Sequence, residues 1–185
     1  MHISWLGQTC IKLQTKNQDK DVIILIDAYK PKKGDFPRNF SPDIALFSQG
    51  QDNSSTISPD TFVVDSLGEM EVKNVMIYSL PGFESSVIYK LNAENLNMVH
   101  LGRLKKPLEN SEMEKIMSPD ILFIPVGGGE SYLDAKTAAQ LANTLEARII
   151  IPIAYNCDTD PDAAPITAFI KELGLKPEAT EKKFI

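Results

Sequence analysis

A mixed α/β fold in a single domain is what this chain predicts, and three observations predict it. Its 185 residues are 43% apolar, enough to bury one substantial core. Apolar alternation and β-branched runs crowd the first half, whereas helical periodicity is confined to the second. No linker, internal repeat or low-complexity tract divides residues 1–185.

In chain order, strands are predicted at residues 3–6, 10–13, 22–26, 44–47 and 62–65. Further strands follow at 75–78, 87–91, 97–101, 121–125 and 148–152. Residues 111–117 read as a short helix closed by Ser118-Pro119. Asp134 is an N-cap residue type before 135–145, where Ala135, Ala138, Ala139, Ala142 and Leu145 share one face. A last helix is predicted with Asp162 as N-cap and Pro165 in its first turn. Ile166, Phe169, Ile170 and Leu173 form its apolar stripe, and Gly174 is its stop. The polar segment from Gln49 to Pro59 reads as a surface loop between core strands.

Composition narrows the function. There are 25 acidic and 19 basic side chains, a formal charge of −6 and no long basic block, which argues against a nucleic-acid or anionic-membrane surface. No apolar run approaches the ~18 residues of a membrane span. The opening Met1-His2-Ile3-Ser4-Trp5 lacks the charged and long apolar regions of a signal peptide, so a cytoplasmic protein is expected. Cys10 and Cys157 make no disulfide framework, and Cys10 reads as a buried small hydrophobe. His2 reads as a terminal surface residue.

Several motifs stand out in order. They are Trp5-Leu6-Gly7-Gln8-Thr9-Cys10, Leu25-Ile26-Asp27-Ala28-Tyr29, Ser48-Gln49-Gly50-Gln51-Asp52-Asn53-Ser54 and Gly68-Glu69-Met70-Glu71-Val72. They continue with His100-Leu101-Gly102-Arg103, Ile124-Pro125-Val126-Gly127-Gly128-Gly129 with Asp134-Ala135-Lys136, and Ile151-Pro152-Ile153-Ala154-Tyr155. Over nearly the whole length the chain resembles the small metallo-β-lactamase-fold hydrolases, specifically the branch related to L-ascorbate-6-phosphate lactonase. The resemblance implies a four-layer αβ/βα sandwich with a metal cleft at one edge, between two β-sheets. In such hydrolases His and Asp side chains from several loops hold two metal ions that activate a water.

The resemblance also locates the ligand positions, and all of them are altered. Gln49 and Gln51 stand where the first two His of the metal loop belong, Asn53 where its Asp belongs, and Ser54 where its last His belongs. Glu84 replaces a His after Gly82-Phe83, Arg103 the bridging Asp, Ala154 the terminal His and Gln8 a His of the first turn. Amide and hydroxyl oxygens are poor donors to zinc, and a guanidinium repels it. The zinc or other divalent metal of the family is therefore expected to be lost, leaving no cofactor. Asp27, Asp52, His100 and Tyr155 are expected as neighbours of the vestigial cleft. Asp27 would hydrogen-bond the former metal loop, and His100 would support the site from behind.

Other chemistry is weaker in the sequence. Gly127–Gly129 lacks the phosphate-loop pattern and fits a close backbone approach. Asp158, Asp160 and Asp162 lack the glycine and distal glutamate of a calcium loop and read as a solvated turn capping the last helix. Neither Ser54-Ser55 nor Ser85-Ser86 has a His base nearby.

Three functions follow. The leading one is a catalytically inactive, metal-free protein that binds a small molecule or protein partner, regulates, or forms a homo-oligomer. The alternative is a hydrolase in the same cleft, with Glu84 as base and Arg103 as anion clamp. The last is a single-metal hydrolase using Glu84, Asp52 and His100. An ion pair between Glu84 and Arg103 is expected to fill the vacated metal centre.

Overall fold

Two six-stranded sheets face each other across an apolar core in the structure, a computed structural model describing residues 1–32 and 36–176 and the backbone of 183–184. The first sheet runs β14 (Lys183–Phe184), β1 (His2–Trp5), β2 (Ile11–Asn17), β3 (Lys20–Ile26), β5 (Ile44–Leu46), β7 (Phe62–Val64). The second runs β13 (Ile149–Ile153), β12 (Ile121–Pro125), β11 (Leu96–His100), β10 (Val87–Ala93), β9 (Val75–Pro81), β8 (Gly68–Val72). A two-stranded ladder joins β4 (Asn39–Phe40) to β6 (Thr56–Ile57). The predicted α/β sandwich is therefore the observed architecture.

Alternation places the core. Ile11, Leu13, Ile24, Ile26, Ile44 and Leu46 of the first sheet meet Ile77, Tyr89, Leu91, Met98 and Phe123 of the second. The outer face of the second sheet carries Ile88, Val99, Leu122 and Ile124, covered by α2 (Ala135–Leu145) and α3 (Thr167–Leu173). Over the outer face of the first sheet, Leu25, Ala45 and Phe47 lie under Tyr29, Phe36, Phe40 and Ile57, so aromatic side chains and the small ladder do the covering there. Polar groups also cross the core. The buried Tyr89 hydroxyl lies 3.0 Å from the carbonyl oxygens of both Phe47 and Val64 and accepts the Phe47 N–H at 3.2 Å.

Helix α2 has the predicted bounds, because its signals are local. Asp134 Oδ1 accepts the N–H groups of Lys136 and Thr137 at 3.1 and 3.0 Å, and its Oδ2 accepts the Thr137 hydroxyl at 2.7 Å. The predicted helix at 111–117 is instead one turn, α1 (Asn110–Met113), followed by a 3₁₀ turn (Glu114–Ile116). Asp162 does not cap α3, which starts at Thr167 and ends on Gly174 at φ 71°. The Ala164 N–H goes to the Gly127 carbonyl and the Asn156 N–H to the Ala164 carbonyl, which holds 156–164 as a loop. Strand β8 was not anticipated, because a solvated edge strand with Glu69 and Glu71 outward shows little apolar signal. The β8–β9 and β10–β11 turns place Lys73-Asn74 and Glu94-Asn95 at left-handed φ of 51–63°, as tight hairpin turns require.

Candidate functional site

Loops leaving the carboxyl ends of β3, β5, β11, β12 and β13, with the β1–β2 turn, converge on one cleft of about 930 Å³. This is where sheets with parallel strands present variable side chains to a ligand. The β3–β5–β7 and β11–β12–β13 segments are the parallel parts of the two sheets.

Main-chain partners fix the cleft loops. Asp27, at φ 54°, accepts the Ser48 N–H at 2.6 Å on one oxygen and the Ser48 hydroxyl at 2.7 Å on the other. That clamps the loop after β5 to the end of β3, the role expected of Asp27. The loop closes on itself through Ser54 N–H to the Gln51 carbonyl, and Lys30 N–H to the Asn53 carbonyl ties it to the segment after β3. The Gln8 carbonyl accepts both the Trp5 indole N–H and the Ala154 N–H at 2.8 Å, joining the first turn to the end of β13. Gly127 is required here, since a Cβ on it would lie 2.1 Å from the Ala154 carbonyl oxygen. The close-approach reading of the glycine run holds at this position.

His100 is buried, and both ring nitrogens are committed. Nδ1 accepts the Gly102 N–H at 3.1 Å, so the proton sits on Nε2, which donates to the Thr9 carbonyl at 2.9 Å. Burial pushes its pKa below the usual 6.5 and outweighs the upward pull of Asp27 and Thr9. His100 thus ties the two sheets together as a neutral imidazole. The single-metal reading through Glu84, Asp52 and His100 is not supported: Glu84 and Asp52 are exposed and His100 has no free nitrogen.

Gln8, Asp27, Gln49, Asp52, Asn53 and Arg103 line the cleft together. Gln51 turns away to Asp65, its amide donating at 2.8 Å, and Ser54 faces a neighbouring hollow of about 370 Å³. Ala154 is fully buried, and Tyr155 packs on Trp5 with ring centres 4.3 Å apart. Glu84, at φ 58°, is exposed and does not line the cleft.

The expected Glu84–Arg103 ion pair does not form. Among the described residues the ion pairs are Met1–Glu94, Lys73–Asp43 and Arg148–Asp120. Arg103 instead stacks on Tyr132, 5.3 Å from the ring centre, and donates to its hydroxyl at 3.4 Å. That hydroxyl in turn donates to Asp160 at 2.9 Å. Burial pushes the Tyr132 phenol upward, so it stays a neutral donor. Opposite, Tyr29 and Thr159 share a hydrogen bond of 2.6 Å, and the Gln8 amide donates to the Thr159 carbonyl at 3.3 Å. The loop 156–164 thus forms a cleft wall, which corrects the reading of its aspartates as a solvated helix cap. Sequence reasoning missed Tyr132, Tyr29, Thr159, Lys30 and Lys32. Tyr29 closes a quoted motif, but no local pattern marks the others.

The residues present do not fit a pair of divalent metals. Among the described residues no three His, Cys, Asp or Glu side chains are grouped to hold one, and the amides of Gln8, Gln49 and Asn53 and the Arg103 guanidinium line the cleft beside its dispersed carboxylates.

Residues 2–154 match the family described as the Beta-lactamase superfamily domain, and the chain belongs to that superfamily. A metallo-β-lactamase superfamily structure from Thermotoga maritima is 26% identical with a TM-score of 0.77, covering 92% of this chain and 85% of that one. A metallo hydrolase from Ignicoccus hospitalis is 14% identical, TM-score 0.72, covering 100% and 98%. A structure from Veillonella parvula is 13% identical, TM-score 0.67, again covering 100% and 98%. No curated protein gives a significant match.

Proposed function

We propose that this chain is a binding protein on the metallo-β-lactamase scaffold, related to the ascorbate-6-phosphate lactonase branch, that no longer performs metal-dependent hydrolysis. The observation that carries this is the cleft's chemistry: Gln8, Gln49, Asn53 and Arg103 face the space where a hydrolase of this fold needs imidazoles and carboxylates. Without those donors no water is activated, and the wall built by Tyr132, Thr159 and Asp160 remains as a recognition surface. The alternative, a hydrolase using the cleft with Glu84 as its base, is disfavoured by the position of Glu84 outside the lining.

The test is elemental analysis of protein purified without chelator and then incubated with zinc or manganese, alongside assays with lactone and phosphodiester substrates. No stoichiometric metal and no hydrolysis above background are expected. A tightly held equivalent of metal, with turnover abolished by chelation, would overturn the reading.

A further inference from the structure

Arg103 is half-buried in the cleft wall and forms no ion pair with any carboxylate among the described residues. Among the described residues its one hydrogen bond is to the Tyr132 hydroxyl, at 3.4 Å, which leaves most of its five N–H donors without an acceptor there. The tyrosine ring beneath it holds the guanidinium plane in place. Two acids of the lining accept hydrogen bonds from neutral donors, and neither pairs with it directly. Asp27 spends both oxygens on Ser48, and Asp160 accepts the Tyr132 hydroxyl. Lys30 and Lys32 line the same cleft, and neither forms an ion pair among the described residues.

The cleft as a whole is acidic, with Asp27, Asp52, Glu130, Asp160 and Asp162 in the lining against Lys30, Lys32 and Arg103. Asp52, Glu130 and Asp162 are exposed lining residues, so a ligand with a second negative charge would meet repulsion on entry. The side chains of Gln49 and Asn53 also line it and make no hydrogen bond within the described residues, leaving donors and acceptors for an uncharged body.

Resting on the reading of the cleft as a recognition site, we propose that it takes a small polar molecule bearing one carboxylate. The carboxylate docks in two-point contact on the Arg103 fork, and the body hydrogen-bonds to Gln49 and Asn53. The ligand class is a hydroxy, polyhydroxy or amino monocarboxylic acid.

The experiment is an amide NMR titration at constant ionic strength with sodium gluconate, sodium lactate and glycine. Sorbitol serves as the neutral control and inorganic phosphate as the multiply charged one. At least one of the three acids should bind saturably, with shifts centred on Gln49, Asn53, Arg103 and Tyr132. Sorbitol should not, and phosphate should bind more weakly. R103Q should weaken the bound acid on the order of tenfold or more, the usual effect of losing a charge-assisted contact. R103K, which keeps the charge and loses the fork, should weaken it severalfold and serves if R103Q does not fold. Silence from all three acids, an equal response to sorbitol, tighter binding of phosphate, or unchanged affinity in both variants would overturn the proposal. Stoichiometric metal in the elemental analysis would instead overturn the functional reading beneath it, so the two failures are distinguishable.

Discussion

Gln8, Asp27, Asn53, Glu84 and Ala154 all carry left-handed φ, between 46° and 64°. Each such residue with a Cβ is held at a cost of roughly 1–2 kcal/mol, and the hydrogen bonds of Ser48 and of the Gln8 carbonyl help to hold Asp27 and Ala154 there. Beside Ala154, Gly127 leaves no room for a Cβ. Gly127→Ala drives a methyl into the Ala154 carbonyl and should destabilise by about 3 kcal/mol; an unchanged urea midpoint would contradict the geometry. Arg103→Ala should cost far less, because it breaks no ion pair among the described residues. Its loss of about 1 kcal/mol or less reflects a cation–π contact and one long hydrogen bond, and a drop above ~3 kcal/mol, typical of a broken buried pair, would show a partner after all. His100 sets a pH signature. Its folded pKa lies below 6.5, so the unfolded chain binds more protons in the window beneath that value, and stability should fall as pH drops below 6.5. His100→Gln should flatten this part of a stability–pH curve. The failed Glu84–Arg103 pairing has its cause at the same scale. Motif register located both positions, but which way each side chain faces depends on a left-handed turn at Glu84 and an aromatic ring 29 residues beyond Arg103.

At the scale of elements, legibility tracked the range of the signal. Helix α2 carries its cap, its apolar face and its length within a dozen residues, so its bounds were readable. Helix α3 has an equally good local start at Asp162, yet tertiary bonds from Ala164 to Gly127 and from Asn156 to Ala164 override it. Strand β8 escaped notice because its register is set by its partner β9 and its side chains are mostly wet. The Asp134 cap offers a direct check. Its carboxyl lies below the usual range, held there first by the Thr137 hydroxyl and then by the Thr137 amide. Asp134→Ala should cost about 1 kcal/mol, read as a lower melting temperature; no change would mean that tertiary packing alone fixes the start of α2.

For the whole molecule, the fold was legible because several ordered motifs agree on one topology, whereas most of the cleft's polar partners were not. Tyr132, Thr159 and Lys30 meet across two sheets, and nothing in their local sequence announces that meeting. The sandwich rests on apolar faces worth ~25 cal/mol per Å² buried, with the Tyr89 hydroxyl and His100 as its polar ties. None of these contributions involves a metal. A cooperative melt with the same midpoint in the presence and absence of a strong chelator is expected, and a large chelator-induced drop would reveal a structural metal dependence.

The Asp27–Ser48 clamp lies in the cleft lining but spends its polar atoms within the pair, whereas the side chains of Gln49 and Asn53 make no such bond among the described residues. Heritable change can therefore act on the two separately. Position 49 can vary without unmaking the loop, and position 53 within the residue types that accept a left-handed φ, while positions 27 and 48 carry its shape. A lineage with this division of labour can try out new recognition chemistry one substitution at a time, and each intermediate still reaches a folded state.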